Sequence, residues 1–209
     1  MEKKSIFVMV SGPAASGKST LVKNMSIALP THDYKPAKAY IDLAKEKNIS
    51  IDRAFYDIAP NDAEDYFCKV CSNHDITVGD QHLSIQHYKD SAIASGNPNI
   101  EFPDEPYVSA INYNLFNKLL EHEIQTLVIY LKASPQVLYE RAYKRYLDYG
   151  TFMRNKNIKE VEDEVNAEYY YFNELIRKTN ISSYVIDTDF KESSDVLKSA
   201  MKKTLKFKG

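Results

Sequence analysis

The chain has 209 residues, 44 % of them hydrophobic and 27 % charged, with a formal net charge of −2. That length suits one substantial domain, and the composition suits a packed core. The near-neutral balance argues against a general binder of nucleic acid or membrane surfaces, and no apolar run approaches the length of a membrane span.

The first charged residues resemble a secretion signal, but the apolar part runs straight into a glycine-containing stretch instead of a cleavage site, so a reducing cytoplasm is expected. Residues 5–11, "SIFVMVS", read as a nearly continuous apolar strand, the kind buried on both faces of a parallel sheet. Residues 18–29 read as a helix ended by Pro30, and "THDYKP" can hold a short second strand. Residues 36–48 begin with proline and end near asparagine, a helix pattern. A further helix is expected over 51–72, interrupted near "APND", and it carries Cys68 and Cys71. The C-x-x-C spacing has no second pair and no histidine at zinc-finger distance, so two buried or half-buried thiols are expected instead of a zinc site.

"DITVGD" (75–80), "TLVIYL" (126–131) and "SSYVID" (182–187) read as three more short apolar strands. Helical patterns cover 81–95, 107–122, 135–148, 158–178 and 191–206, with Ser134-Pro135 a strong helix start. The stretch 95–106 holds three prolines and little periodicity. In the run Tyr169-Tyr170-Tyr171, helical spacing assigns Tyr169 and Phe172 to the core and leaves the other two half exposed. The lysines of "SAMKKTLKFKG" fit the solvated face of a terminal helix. Strands alternating with helices over one continuous domain imply a parallel sheet covered on both faces.

The stretch "GPAASGKST" satisfies G-x-x-x-x-G-K-[ST] and lies between the first strand and the first helix. Such a loop wraps a phosphate with successive backbone N–H groups, and Gly12 and Gly17 tolerate the backbone angles and close approach this needs. Pro13, Ala14, Ala15 and Ser16 complete the cradle, and the helix beginning at Lys18 points its positive end at the anion. In this reading Lys18 reaches the β- and γ-phosphates of a nucleotide, the Ser19 hydroxyl can ligate Mg²⁺, and Thr20 adds a second hydroxyl.

Three later features bear on what such a cradle is for. Asp80 falls at the carboxyl end of a strand, where ligands of parallel sheets bind. There it can hold Mg²⁺ through water or take a proton from an acceptor hydroxyl, or it is a solvent-exposed turn residue. Arg141 and Arg145 share a helix face at i and i+4, suited either to charge on a transferring phosphoryl group or to ordinary surface pairing. The stretch "DYGTFMRNKN" (148–157) carries Gly150, Arg154 and Lys156, and can close over a nucleotide to exclude water or serve as a surface loop.

Taken in order, the P-loop, Asp80, "VIYLKASPQVLYERAYKR" and "YVIDTD" resemble the nucleoside and nucleotide kinases of the P-loop class, thymidylate and deoxynucleoside kinases above all. The resemblance spans about residues 5–190 and is loose over 30–75. It implies a three-layer α/β/α fold on a central, about five-stranded parallel sheet, with a helical lid near 145–160 and pairing as a homodimer through helices beside the sheet. The function it implies is transfer of the γ-phosphoryl group of ATP, with Mg²⁺, to a small-molecule acceptor that is a nucleoside or nucleotide. Lys18, Asp80, Arg141 and Arg145 would be catalytic, with Ser19 and Asp80 at the metal.

Where that family carries arginine after the strand-end acid, this chain has Gln81 and His82, which weakens the case for a monophosphate acceptor. Asp33 or Lys35, Arg53, His82 and Tyr88 are candidates on the acceptor side, although Arg53 also reads as a surface helix residue and His82 as a cap or partner of Asp80. The alternatives are a kinase for another hydroxyl compound (a sugar, an antibiotic or a metabolite), a regulatory NTPase without acceptor, and a binding module without catalysis.

Overall fold

The computed structural model describes residues 4–81, 114–149 and 157–208. The expected helix over 81–95 beyond Gln81, the irregular stretch 95–106 and the central part of the expected lid lie outside the described residues, as do His82 and Tyr88. The strands β1 (Ile6–Ser11), β2 (His32–Asp33), β3 (Ile76–Asp80), β4 (Gln125–Lys132) and β5 (Ser182–Asp187) form one sheet in the order β2-β3-β1-β4-β5. Every pairing is parallel, with Val10 opposite Asp80 on one side and Ile129 on the other.

Among the described residues the α-helices are α1 (Lys18–Ala28), α2 (Pro36–Glu46), the short α3 (Ala54–Asp57), α4 (Pro60–Ser72), α5 (114–121), α6 (Pro135–Tyr149), α7 (Ile158–Thr179) and α8 (Ser193–Lys208). The expected helix over 51–72 is broken at Ile58, whose backbone is extended, and α4 restarts with Pro60 in its first turn.

Alternation along β1 sorts the two cores. Phe7 and Met9 face one side and pack with residues of α2, α4, α5 and α7, including Ala39, Phe67, Leu119 and Phe172. Ile6, Val8 and Val10 face the other and pack with Leu21, Val22 and Met25 of α1 and Val196 and Ala200 of α8. Because successive side chains of a strand point to opposite faces, one all-apolar strand supplies both layers. Cys68 and Cys71 are buried free thiols in the first of these cores.

Two local features position the surroundings of the phosphate loop. Gly79 lies so close to β2 that a Cβ there would stand 2.6 Å from the Tyr34 carbonyl oxygen, so glycine is what lets the two backbones meet. Helix α7 starts on a capping box in which Asn157 accepts from the Glu160 backbone while Glu160 accepts from that of Asn157. The tyrosine run departs from expectation. Phe172 is buried, but Tyr169 is 43 % exposed, and the inward position beside it belongs to Glu168. The inward stripe of α7 is Val161, Glu164, Glu168, Phe172 and Leu175, so the face turns one residue away from Tyr169.

Candidate active site

The carboxyl ends of β1, β3, β4 and β5 lie on one edge of the sheet, and the G-x-x-x-x-G-K-S loop leaves β1 between them. Its two glycines have positive φ, 137° at Gly12 and 98° at Gly17. At Gly12 a Cβ would also stand 2.4 Å from the Leu131 carbonyl oxygen, so the loop leaves the strand along a path that only glycine can take. Behind the loop Ala15 packs with Ala133, Leu138 and Val161, which fixes the cradle against β4, α6 and α7.

Lys18 opens α1 and is 6 % exposed. Its ammonium donates to the carbonyl oxygens of Gly12 at 2.7 Å and Pro13 at 2.8 Å, so the lysine folds back across its own loop. Burial lowers its pKa to about 8, while Glu168, Glu164 and Asp80 act in the opposite direction. Glu164 is 4 % exposed and its Oε1 accepts from the Ala14 N–H at 2.8 Å; Glu168, one turn further along α7, is fully buried. This carboxylate pair at the P-loop is absent from the expectations drawn from sequence.

Asp80 closes β3. Its Oδ2 accepts from the Ser19 hydroxyl at 2.6 Å, and its Oδ1 lies 3.7 Å from Lys35 Nζ. Ser19 and Thr20 are exposed at the helix start, and Ser16 is buried within the loop. An alcohol oxygen and a carboxylate oxygen at this distance are hard ligands of the kind Mg²⁺ takes, with water and phosphate completing its shell. The described residues hold no group of three or more His, Cys, Asp or Glu side chains placed to hold a metal ion.

The two arginines of α6 differ. Arg141 donates to Thr188 Oγ1 at 3.2 Å and to the Thr188 carbonyl oxygen at 2.7 Å. Thr188 in turn donates its N–H to the Lys132 carbonyl oxygen, and Asp189 accepts from the Ser134 N–H at 2.7 Å, so the ends of β4 and β5 are bound together under Arg141. Arg145 is exposed, yet its charge is among those acting on Lys18. On the opposite side, Asp33 is exposed on β2, and Arg53 is exposed and tied to Asp57 with its NH2 group 2.9 Å from Oδ1, a surface pairing.

Next to Asp80 in the chain, Gln81 lines a small cleft with Pro36 and Tyr40 of α2, Glu64 and Phe67 of α4, and Leu115, with a cavity volume of about 30 Å³. The Gln81 N–H donates to the Val10 carbonyl oxygen at 3.0 Å, which prolongs β3 by one residue and holds this wall against the start of the P-loop. Glu64 is a third acidic residue that the sequence reading does not single out.

The fold is similar to that of kinases among solved structures. A deoxyadenosine kinase from M. mycoides, solved with dCMP and dCDP, matches over 96 % of this chain and all of its own with a TM-score of 0.52 at 14 % identity. A gluconokinase from Sinorhizobium meliloti matches over 100 % of this chain and 99 % of its own with a TM-score of 0.50 at 10 % identity. No protein-family model and no curated protein sequence matches the chain. What these likenesses show is the fold, which in this chain is a five-stranded parallel sheet with a glycine-containing loop after the first strand.

Proposed function

We propose that the protein is an ATP-dependent small-molecule kinase that transfers the γ-phosphoryl group of ATP to a nucleoside or nucleotide-like acceptor. The observation that carries this reading is the 2.6 Å contact between Ser19, on the phosphate loop, and Asp80, at the end of the neighbouring strand. It supports the reading because a carboxylate next to the Ser19 hydroxyl is suited to take a proton from an acceptor held there.

In this scheme the backbone N–H groups of residues 12–20 and the start of α1 hold the ATP phosphates, and Lys18 leaves its carbonyl partners for the β- and γ-phosphates. Ser19 and, through water, Asp80 would hold Mg²⁺, which when bound neutralises charge on the phosphates. Asp80 orients the acceptor hydroxyl and takes its proton as the acceptor oxygen bonds to the γ-phosphorus and the bond to the bridging oxygen of ADP breaks. Asp33 is the second choice for that proton. Arg145 moves onto the transferring group, with Arg141 behind it.

The test is ADP formation from MgATP with a panel of nucleosides, nucleotides and sugar acids. ADP release that rises with one class of acceptor supports the reading; release independent of every acceptor makes the protein an NTPase instead.

A further inference from the structure

Lys35 stands where β2 gives way to α2, and its backbone is held from three directions. The Tyr34 N–H before it donates to the Val78 carbonyl oxygen at 3.0 Å, which ties the chain to β3. The proline after it disfavours helical angles, and Lys35 is extended, with φ −103° and ψ 152°. Across the sheet, a Cβ at Gly79 would lie only 3.0 Å from the Lys35 Cα. The fold thus presses this residue against the strand that ends in Asp80 and leaves its side chain to move.

The side chain reaches Asp80. Lys35 Nζ lies 3.7 Å from Oδ1, while the Ser19 hydroxyl donates to Oδ2 at 2.6 Å. One carboxylate oxygen is therefore held from the phosphate loop and the other from the β2–α2 junction. The two distances mean different things. At 2.6 Å Ser19 makes a hydrogen bond, whereas at 3.7 Å the ammonium attracts Oδ1 without closing it to a hydroxyl donor. With Lys35 53 % and Asp80 18 % exposed, the pair stays open to solvent.

An ion pair of this exposure contributes little to stability, so holding the fold is a poor account of it. Charge is a better one. Phosphoryl transfer brings negative charge toward Asp80, and a cation at Oδ1 offsets it. The transition state of such a transfer is largely loose, so where the accepting oxygen stands matters more than how strongly it draws the proton.

We propose that Lys35 is a positioning residue for the transfer: it steers Asp80 Oδ1 onto the acceptor hydroxyl and offsets the carboxylate's charge beside the phosphates. This rests on the kinase reading above, which makes Asp80 the proton acceptor. It adds a cation supplied by the β2–α2 junction, apart from Lys18 and the arginines of α6.

The experiment compares wild type, Lys35→Met, Lys35→Arg and Lys47→Met, the last a control from the exposed pair of Lys47 with Asp62. Turnover of MgATP with deoxyadenosine, deoxycytidine and D-gluconate as probes gives kcat and KM. Titration calorimetry with ADP, in Mg²⁺ and in EDTA, gives the factor by which the cation tightens binding. Lys35→Met should lower kcat at least about tenfold with KM for MgATP within about twofold, and Lys35→Arg should recover most of the loss. Melting temperatures should agree within about 2 °C, because half-exposed ion pairs contribute little. Lys35→Met should also enlarge the Mg²⁺ factor at least about threefold, since the charge of Asp80 then meets the cation without an offset. Placed in an Asp80→Asn background, the same substitution should leave that factor unchanged. The proposal is overturned if Lys35→Met keeps kcat and the Mg²⁺ factor at wild-type values, or if Lys35→Arg is as impaired as Lys35→Met. If no probe is phosphorylated, the kinase reading fails by itself. The Mg²⁺ factor then still decides about Lys35: a rise confined to Lys35→Met and dependent on Asp80 supports its hold on the carboxylate, and equal factors in all variants sink it.

Discussion

The Ser19 hydroxyl and the Asp80 carboxylate meet at 2.6 Å although 61 positions separate them in the chain. The parallel pairing of β1 and β3 makes the contact, since Val10 and Asp80 sit opposite each other at the strand ends where the P-loop departs. If this pair holds Mg²⁺ and Asp80 takes the proton, Ser19→Ala and Asp80→Asn should each lower kcat at least about a hundredfold. Binding of ADP measured in EDTA should change far less. Equal losses with and without Mg²⁺ would reduce the pair to a structural contact.

Glu164 accepts from the Ala14 N–H, the group that in the proposed reading would face a phosphate. Glu164→Gln keeps an acceptor oxygen at that place and removes the charge. We expect it to tighten nucleotide binding by about tenfold, a difference of about 1.4 kcal/mol, by relieving repulsion of the phosphates. Titration calorimetry with ADP reads this directly, and weaker binding would mean that the carboxylate shapes the loop for phosphate. Glu168→Gln should instead destabilise the fold by about 3 kcal/mol, because it leaves the buried Lys18 with less opposing charge.

The unequal settings of the α6 arginines predict unequal phenotypes. Arg141→Ala loses the bonds to Thr188 and should lower stability by about 1.5–3 kcal/mol in urea denaturation. Arg145→Ala removes an exposed side chain and should leave stability within about 0.5 kcal/mol. Its effect belongs to turnover, a fall in kcat of about tenfold or more, with the acceptor KM nearly unchanged. Stability losses that match between the two variants would contradict this division.

Burial pushes both thiols of α4 up to about 12. Thiolate is the reactive form, so at pH 8 iodoacetamide should label Cys68 and Cys71 at least about a hundredfold more slowly in the native protein than in urea. The sign of the linked stability comes from the same shift. Because the folded pKa lies above the unfolded one, the contribution is complete below about pH 8.5 and is lost as pH rises toward 12, at up to about 1.4 kcal/mol per pH unit for each thiol. Denaturation at pH 7.5 and 10 checks this, and replacing Cys71 with Ala should shallow the decline.

Much of this was readable from the chain because it rests on short-range patterns. The apolar run 6–11, the glycine spacing and the helix start at Lys18 are local, and they carry both the central strand and the glycine loop that leaves it. β2 was only suggested, because two paired residues, His32 and Asp33, are too few to show a period. Glu164, Glu168 and Glu64 escaped for a different reason. Each sits in an acid-rich helix, where a glutamate reads as solvated surface. The available signal was register: Glu164 and Glu168 fall on the stripe of Val161, Phe172 and Leu175, and Glu64 on that of Phe67 and Cys71. A charged residue on an apolar stripe marks a buried charge, and tracing the stripe would also have turned Tyr169 outward. The kinship of Asp80 with Gln81's pocket depends on α2 and α4 converging, which no local pattern reveals.

The close approach at Gly79 has a consequence for the pocket as well as for the sheet. Tyr34, whose carbonyl oxygen fills the space a side chain would need, leads within two residues into Pro36, and Pro36 and Tyr40 form one wall of that pocket. The spacing between the cleft's walls is thus set at a residue that lines neither of them. Any side chain at position 79 would wedge β2 outward and carry the start of α2 with it. A position in the sheet can in this way act as a width adjustment for the cleft, trading strand contact for room to admit a bulkier guest.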